Sequence, residues 1–166
     1  MNNELNLLPK SFININVGGN LDLSGNQLIL LPNKFFKINV GGNWDLSHNK
    51  LEKLPTIKKL IQIRGNLDLS GNQLKSLPKN FGMLRIEGNL ILNDNELLTS
   101  LPENFGNITV GHDLVLSNEL TSLPESFRNI TVGGNIDLCG NENINIESIM
   151  SRFLSFPNFQ GMFMFN

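Results

Sequence analysis

The stretch that decides the fold is LDLSGNQLILLP at residues 21–32, because it returns as WDLSHNKLEKLP at residues 44–55 and as LDLSGNQLKSLP at residues 67–78. Each copy begins 23 residues after the one before it. A period of about 20 to 50 residues is typical of proteins that stack one supersecondary unit many times. The sequence therefore predicts a repeat protein.

Two markers extend the repeat along most of the chain. Leu-Pro pairs recur at intervals of 23, 23, 23, 24 and 22 residues, whereas an asparagine that follows the LxL segment recurs at a constant interval of 23. The two irregular intervals therefore cancel: one residue is added at Leu97 or Leu98, and one is missing just before Asn118. The asparagine column consists of Asn26, Asn49, Asn72, Asn95, Asn118 and Asn141.

Each unit holds two short stretches in which apolar and polar residues alternate, as in a half-buried strand. The first is the LxL segment, such as Leu21–Leu23, and the second is an IxV segment, such as Ile15–Val17. Stacked identical coils place each strand about 4.8 Å from its copy. The pattern predicts a mostly β, single right-handed solenoid with two narrow parallel sheets. Gly-Gly-Asn forms the corner between the strands, where we expect glycine to supply a positive φ.

A phenylalanine column marks the other corner, next to the Leu-Pro step. Lys58 interrupts it, and Ile57 or Leu60 is expected to fill the space. The column consists of Phe12, Phe35, Phe81, Phe105 and Phe127.

The run L-x-L-x-x-N-x-L-x-x-L-P, repeated over residues 5–141, resembles the leucine-rich repeat superfamily. The 23-residue unit is also similar to short arrays encoded by giant DNA viruses of amoebae. The resemblance implies that each column asparagine lies inside a turn and satisfies backbone groups, which is a structural role. One departure is that the apolar residue before the LxL strand lies one position early, as at Val17. This shift favours a second strand on the convex side in place of a helix.

The chain divides into a solenoid at residues 1–141 and a C-terminal cap at residues 142–166. The cap is expected to contain a short amphipathic helix from about Glu147 and then a tail rich in Phe and Met. Its phenylalanines would cover the last coil. They are Phe156, Phe159, Phe163 and Phe165.

Composition limits the location of the protein and its chemistry. A single cysteine, Cys139, excludes an intramolecular disulfide framework and favours a reducing compartment. The chain has no signal-peptide pattern and no run of about 18 apolar residues. We therefore expect an intracellular, cytoplasmic protein without a membrane partner, or a virion-associated one if it is viral. Residues 1–83 hold ten Lys/Arg and five Asp/Glu, and residues 84–166 hold three and ten, which predicts a charge dipole along the solenoid.

The outward positions of the LxL strands form the candidate partner-binding face. These positions are polar in the first three coils and apolar in the next two, and a mixed surface of this kind suits a protein partner. The alternative is that Ile and Val simply favour a strand. The face consists of Asp22, Asp45, Asp68, Ile91, Val115 and Asp137.

Other chemistry is disfavoured by the residues. The column of aspartates diverges and therefore does not predict a metal site. His48 and His112 lie far apart in sequence, and Cys139 has no nearby base, so we expect no catalytic residues, no cofactor and no enzyme activity. Nucleic acid is disfavoured because the N-terminal lysines lack exposed aromatic partners.

The sequence thus predicts a non-enzymatic scaffold that binds a protein, a host protein if the chain is viral, through the LxL face. The alternative is a self-assembling structural component. It would associate through its N-terminal edge or its Phe-rich tail, with its charge dipole orienting the copies.

Overall fold

The computed structural model describes residues 4–116, 119–145 and 161–165, and these residues form a parallel β-solenoid of six coils. Each coil contributes one IxV strand, here called the back strand, and one LxL strand, the front strand. Within the described residues the strands are β1 Asn16–Val17, β2 Leu21–Asp22, β3 Asn39–Val40, β4 Trp44–Asp45, β5 Ile61–Ile63, β6 Leu67–Asp68, β7 Leu84–Ile86, β8 Leu90–Ile91, β9 Thr109–Val110, β10 Leu114–Val115, β11 Thr131–Val132, β12 Ile136–Asp137 and β13 Phe163–Met164.

The front strands form one continuous parallel sheet, the front sheet, in the order β2, β4, β6, β8, β10, β12 and β13. Their register follows the repeat, so that Leu21 pairs with Trp44 and Trp44 with Leu67. The first residue of the front strand, which is Leu, Trp or Ile, points inward and is buried in all six coils. Burial of such a side chain is worth about 1.5–3 kcal/mol, so the inward columns hold the stack together.

The back strands are parallel, as predicted, but their backbone pairing is interrupted, so that they form two groups. β1 pairs with β3, and β5, β7, β9 and β11 form a second group, but no backbone pairing joins β3 to β5 within the described residues. The break lies where coil 3 carries Lys58 in place of the repeated phenylalanine.

The Leu-Pro corner turns through short 3₁₀-helices, which the sequence analysis did not predict. In the described residues they occur in every coil except coil 3. The Phe81, Phe105 and Phe127 rings stack at centroid distances of 5.9 and 6.1 Å. In coil 3, Ile57 is buried and Leu60 is 56% exposed, so Ile57 fills the gap in the column. The helices are Lys10–Asn14, Phe35–Lys37, Phe81–Met83, Phe105–Asn107 and Glu125–Asn129.

The two corners use glycine for different reasons, and the expectation of positive φ at the Gly-Gly-Asn corner was wrong. Among the described glycines, positive φ values occur in the turn after the front strand, at Gly25, Gly71 and Gly140. At the Gly-Gly-Asn corner a Cβ on Gly65 would overlap the Oδ1 atom of Asn43 in the preceding coil. Glycine is needed there because the backbone and the asparagine side chain of the preceding coil occupy the space, and not because φ is positive.

The added residue of coil 4 is visible in the burial of its turn. Leu98 is fully buried in the inward column, whereas Leu97 is 51% exposed. Leu97 is therefore the extra residue, and the coil absorbs it in a turn closed by a hydrogen bond from the Leu98 N–H to the Asn95 carbonyl. The deletion before Asn118 lies outside the described residues.

The last described segment extends the front sheet. Phe163 and Met164 pair with Ile136 and Asp137 of β12, in register with the repeat. Phe163 and Phe165 pack against the core with stacked rings 5.9 Å apart. The predicted helix from Glu147, together with Phe156 and Phe159, lies outside the described residues. No helix in the described part of the chain is long and apolar enough to span a membrane.

Candidate partner-binding face

The outward positions of the front strands lie in one continuous row along the solenoid. The backbone register joins each of them directly to the next, and the row ends at Met164 of β13. The six residues proposed from sequence therefore do share one face. In order along the row, the residues are Asp22, Asp45, Asp68, Ile91, Val115, Asp137 and Met164.

The aspartates of this row are hydrogen-bonded within their own coils. In the first coil the Asp22 Oδ1 atom accepts the Ser24 Oγ–H at 2.7 Å and the Ser24 N–H at 3.0 Å. Asp45 and Asp68 accept the same two bonds from the serines two residues later. The hydroxyl and then the N–H of Ser24 lower the pKa of Asp22 from its ordinary value. One oxygen of each carboxylate therefore stabilises the turn after the strand.

The apolar part of the row has no such intramolecular role. Ile91 and Val115 are direct neighbours on β8 and β10, and both side chains are half-buried. Met164 is 37% exposed and continues the row beyond Asp137. Sequence reasoning missed Met164, although the alternation of Phe163 and Met164 repeats the pattern of the front strands. The face thus combines an apolar centre with carboxylates on both sides.

The asparagines just before the front strands form a ladder of hydrogen bonds between coils. The Asn43 N–H donates to the Asn20 Oδ1 at 2.9 Å, and the Asn66 N–H donates to the Asn43 Oδ1 at 2.9 Å. Asp113 takes the same place in coil 5 and accepts the Asn135 N–H at 2.7 Å. The constant 23-residue spacing of these residues was a signal for the ladder.

The asparagine column inside the turn makes a second ladder. Asn72 is buried, and its Nδ2 atom donates to the Leu69 carbonyl of its own coil and to the Leu46 carbonyl of the preceding coil, both at 3.0 Å. Its Oδ1 atom accepts the Leu51 N–H at 3.0 Å. Similar contacts, within and between coils, are made by Asn49, Asn95 and Asn141, while Asn26 lies in the first coil and Asn118 lies outside the described residues.

The residues considered for catalysis are dispersed in the structure. His48 and His112 are both exposed and belong to coils 2 and 5. The Cys139 N–H donates to Asp137, and the Asp137 carboxylate raises the pKa of the Cys139 thiol by accepting its hydrogen bond. A raised pKa keeps the thiol protonated and weakly nucleophilic. In the described residues no three His, Cys, Asp or Glu side chains are grouped in a way that would hold a metal ion.

The sequence matches no protein-family model and no curated protein.

Proposed function

We propose that the protein is a non-enzymatic scaffold that binds another protein through the front sheet. The observation that carries this proposal is the row of outward positions, in which the apolar neighbours Ile91 and Val115 are flanked by Asp68 and Asp137. Apolar residues at the centre of a polar rim are the usual arrangement of a protein interface. The aspartates hold the corners in shape, and the apolar residues remain available to a partner.

The size of the face indicates the kind of interaction. Seven strands about 4.8 Å apart extend over about 30 Å. Along each coil, the five residues that correspond to Asn20–Ser24 span about 17 Å. The product is about 500 Å², compared with about 800 Å² per partner in a standard interface. The proposed interaction is therefore transient unless the partner also reaches a neighbouring side of the solenoid.

We further propose kinship with the leucine-rich repeat superfamily, and with its short arrays in giant DNA viruses of amoebae. The support is the L-x-L-x-x-N-x-L run and the position of its asparagine inside the turn, where the amide bonds to backbone groups. On this proposal the partner is a host protein met inside the cell or in the virion.

The test uses two double variants with the same change in charge. Ile91→Lys with Val115→Lys alters the face, whereas Ile29→Lys with Leu97→Lys alters apolar residues that are 50% and 51% exposed elsewhere. Cross-linked partners from the source cell are identified by mass spectrometry. We expect partners that the wild type and the control retain and that the face variant loses. If all three forms capture the same proteins, the front sheet is not the interface.

The second candidate is self-assembly. It is favoured by Leu5 and Leu7, which are 39% and 56% exposed on the first described coil, and by the opposite charges of the two halves. Light scattering in 20 mM and 500 mM salt distinguishes the candidates, because association driven by the dipole weakens as salt rises. A mass that corresponds to one chain under both conditions would leave only the scaffold.

A further inference from the structure

A cavity lies close to the break between β3 and β5, on the side of the solenoid away from the front sheet. Its volume is about 530 Å³, and it lies between the Leu-Pro corners of coils 2 and 3. This volume is within the range of about 300–1,000 Å³ that is typical of small-molecule sites. The cavity lies at the corner of coil 3, the described coil that has neither the repeated phenylalanine nor the 3₁₀-helix found in the other coils.

The cavity has an apolar floor. Phe36, Ile57 and Ile61 line it, and they are only 5%, 2% and 8% exposed. The ring of Phe36 stacks on the indole of Trp44 at 5.9 Å, so the floor of the cavity packs against the core. A rigid apolar surface of this kind favours a flat or aliphatic ligand body.

The rim of the cavity is strongly basic. Lys34, Lys37, Lys58 and Lys59 line it, together with Asn33 and Thr56, and the lining contains no acidic residue. In the described part of the chain none of these four lysines forms a salt bridge, since the ion pair found there joins Lys75 to Glu52. Four unpaired ammonium groups around one opening attract anions and repel cations.

We propose that this cavity binds a small amphipathic anion, with an apolar body against Phe36 and Ile57 and a phosphate or carboxylate among the lysines. A long polyanion would contact the lysines but not the apolar floor, and an uncharged apolar molecule would contact the floor but not the lysines. The site is independent of the front sheet, and it lies at the one described coil that lacks the repeated phenylalanine.

Binding is tested with 1-naphthyl phosphate, using calorimetry in 50 mM salt and methyl NMR of the whole chain. We expect saturable binding that shifts the methyl signals of Ile57 and Ile61 and leaves those of Ile130 unchanged. Inorganic phosphate and 1-naphthol each lack one half of the proposed chemistry and should bind at least about fivefold more weakly. Absence of shifts at Ile57 and Ile61 would overturn the proposal.

Two double variants separate the site from a general effect of positive charge. Lys37→Gln with Lys58→Gln should raise the Kd for 1-naphthyl phosphate at least about fivefold, because two rim charges are lost. Lys50→Gln with Lys75→Gln removes the same charge from another side of the solenoid and should change the Kd less than about twofold. Equal effects of the two pairs would show that the anion binds a diffuse basic surface, which contradicts the proposal.

A repaired coil provides a further control. Ile57→Asn with Lys58→Phe restores the residues that coil 4 carries at Asn80 and Phe81. It should fill the cavity, so that 1-naphthyl phosphate no longer shifts the methyl signals of Ile61, the reporter that this variant keeps. Circular dichroism checks that this variant folds. If it does not fold, the lysine pairs decide the question by themselves.

Discussion

Replacement of Asn72 by alanine should destabilise the solenoid more than any exposed substitution in the same coil. The side chain is buried and serves three carbonyl groups and one N–H. The carbonyls of Leu46 and Leu69 each accept a second asparagine amide, from Asn49 and Asn95, so they keep one partner after the substitution. The Leu51 N–H donates to the Asn72 Oδ1 atom alone, so the substitution leaves it buried without an acceptor.

The magnitude follows from these contacts. An orphaned buried N–H costs about 1–3 kcal/mol, and loss of the shared amide donors adds about 1 kcal/mol. We therefore expect Asn72→Ala to lower the free energy of unfolding by about 2–4 kcal/mol. The matched control is Asn26→Ala in the first coil, where the Leu5 N–H contacts Asn26 at 3.3 Å in an exposed position. Water replaces that partner, so the expected loss is about 1 kcal/mol or less.

The assay is urea unfolding followed by the fluorescence of Trp44, the single tryptophan, which is buried in the neighbouring coil. Circular dichroism at the same urea concentrations checks that the coils unfold together, since repeat arrays can lose cooperativity. Equal losses in the Asn72 and Asn26 variants, or a loss below about 0.5 kcal/mol at Asn72, would refute the reasoning.

A second substitution tests the donors separately. Asn72→Asp keeps an acceptor for the Leu51 N–H but turns a carboxylate toward carbonyl oxygens in a buried site. The pKa of this aspartate should rise, since both burial and the facing carbonyls disfavour the charged form. A raised folded-state pKa contributes stability at low pH that is lost as the pH rises. Asn72→Asp should therefore be closer to the wild type at pH 4.5 than at pH 7.5.

Three further predictions use the same unfolding assay or thiol chemistry. Gly65→Ala should cost about 1–3 kcal/mol because its methyl group meets the Asn43 side chain, whereas Gly19→Ala, whose Cβ meets no atom within 4 Å, should cost less than about 0.5 kcal/mol. His48→Gly should stabilise the chain by about 1 kcal/mol, seen as a rise in Tm, because His48 has a φ of 51° at a position where Gly25, Gly71 and Gly140 stand in other coils. Alkylation of Cys139 by iodoacetamide at pH 8.5 should be slow and should accelerate in Asp137→Asn, since the carboxylate raises the thiol pKa; an unchanged rate would contradict this.

The sequence alone was sufficient for the parts of the fold that repeat. The 23-residue period, the inward leucine columns and the register of the front strands all follow from stacking copies of one unit, because any other register would expose a whole column. The second strand of each coil was also predicted, from the early apolar residue exemplified by Val17.

Tertiary structure decided whatever depends on contact between different coils. The sequence contained Asp22 and Ser24, but only the fold showed that the Ser24 hydroxyl donates a hydrogen bond to the Asp22 carboxylate. Ile91 and Val115, which are neighbours on the same face, have no such intramolecular hydrogen bond through their side chains. The sequence did not show why the Gly-Gly-Asn corner needs glycine. In the structure the reason is the space that Asn43 of the preceding coil occupies next to Gly65, and not a positive φ. Period and pattern describe one coil, whereas steric exclusion and hydrogen bonding act between two.

The break at coil 3 shows the same division. Sequence identified Lys58 as an interruption of the phenylalanine column and left Ile57 and Leu60 as alternatives to fill it. The three-dimensional packing selected Ile57, separated β3 from β5 and opened the basic cavity. A repeat sequence predicts the conformation of the typical coil because every copy carries the same pattern. The effect of one substituted position, such as Lys58, depends on how the two neighbouring coils pack around it.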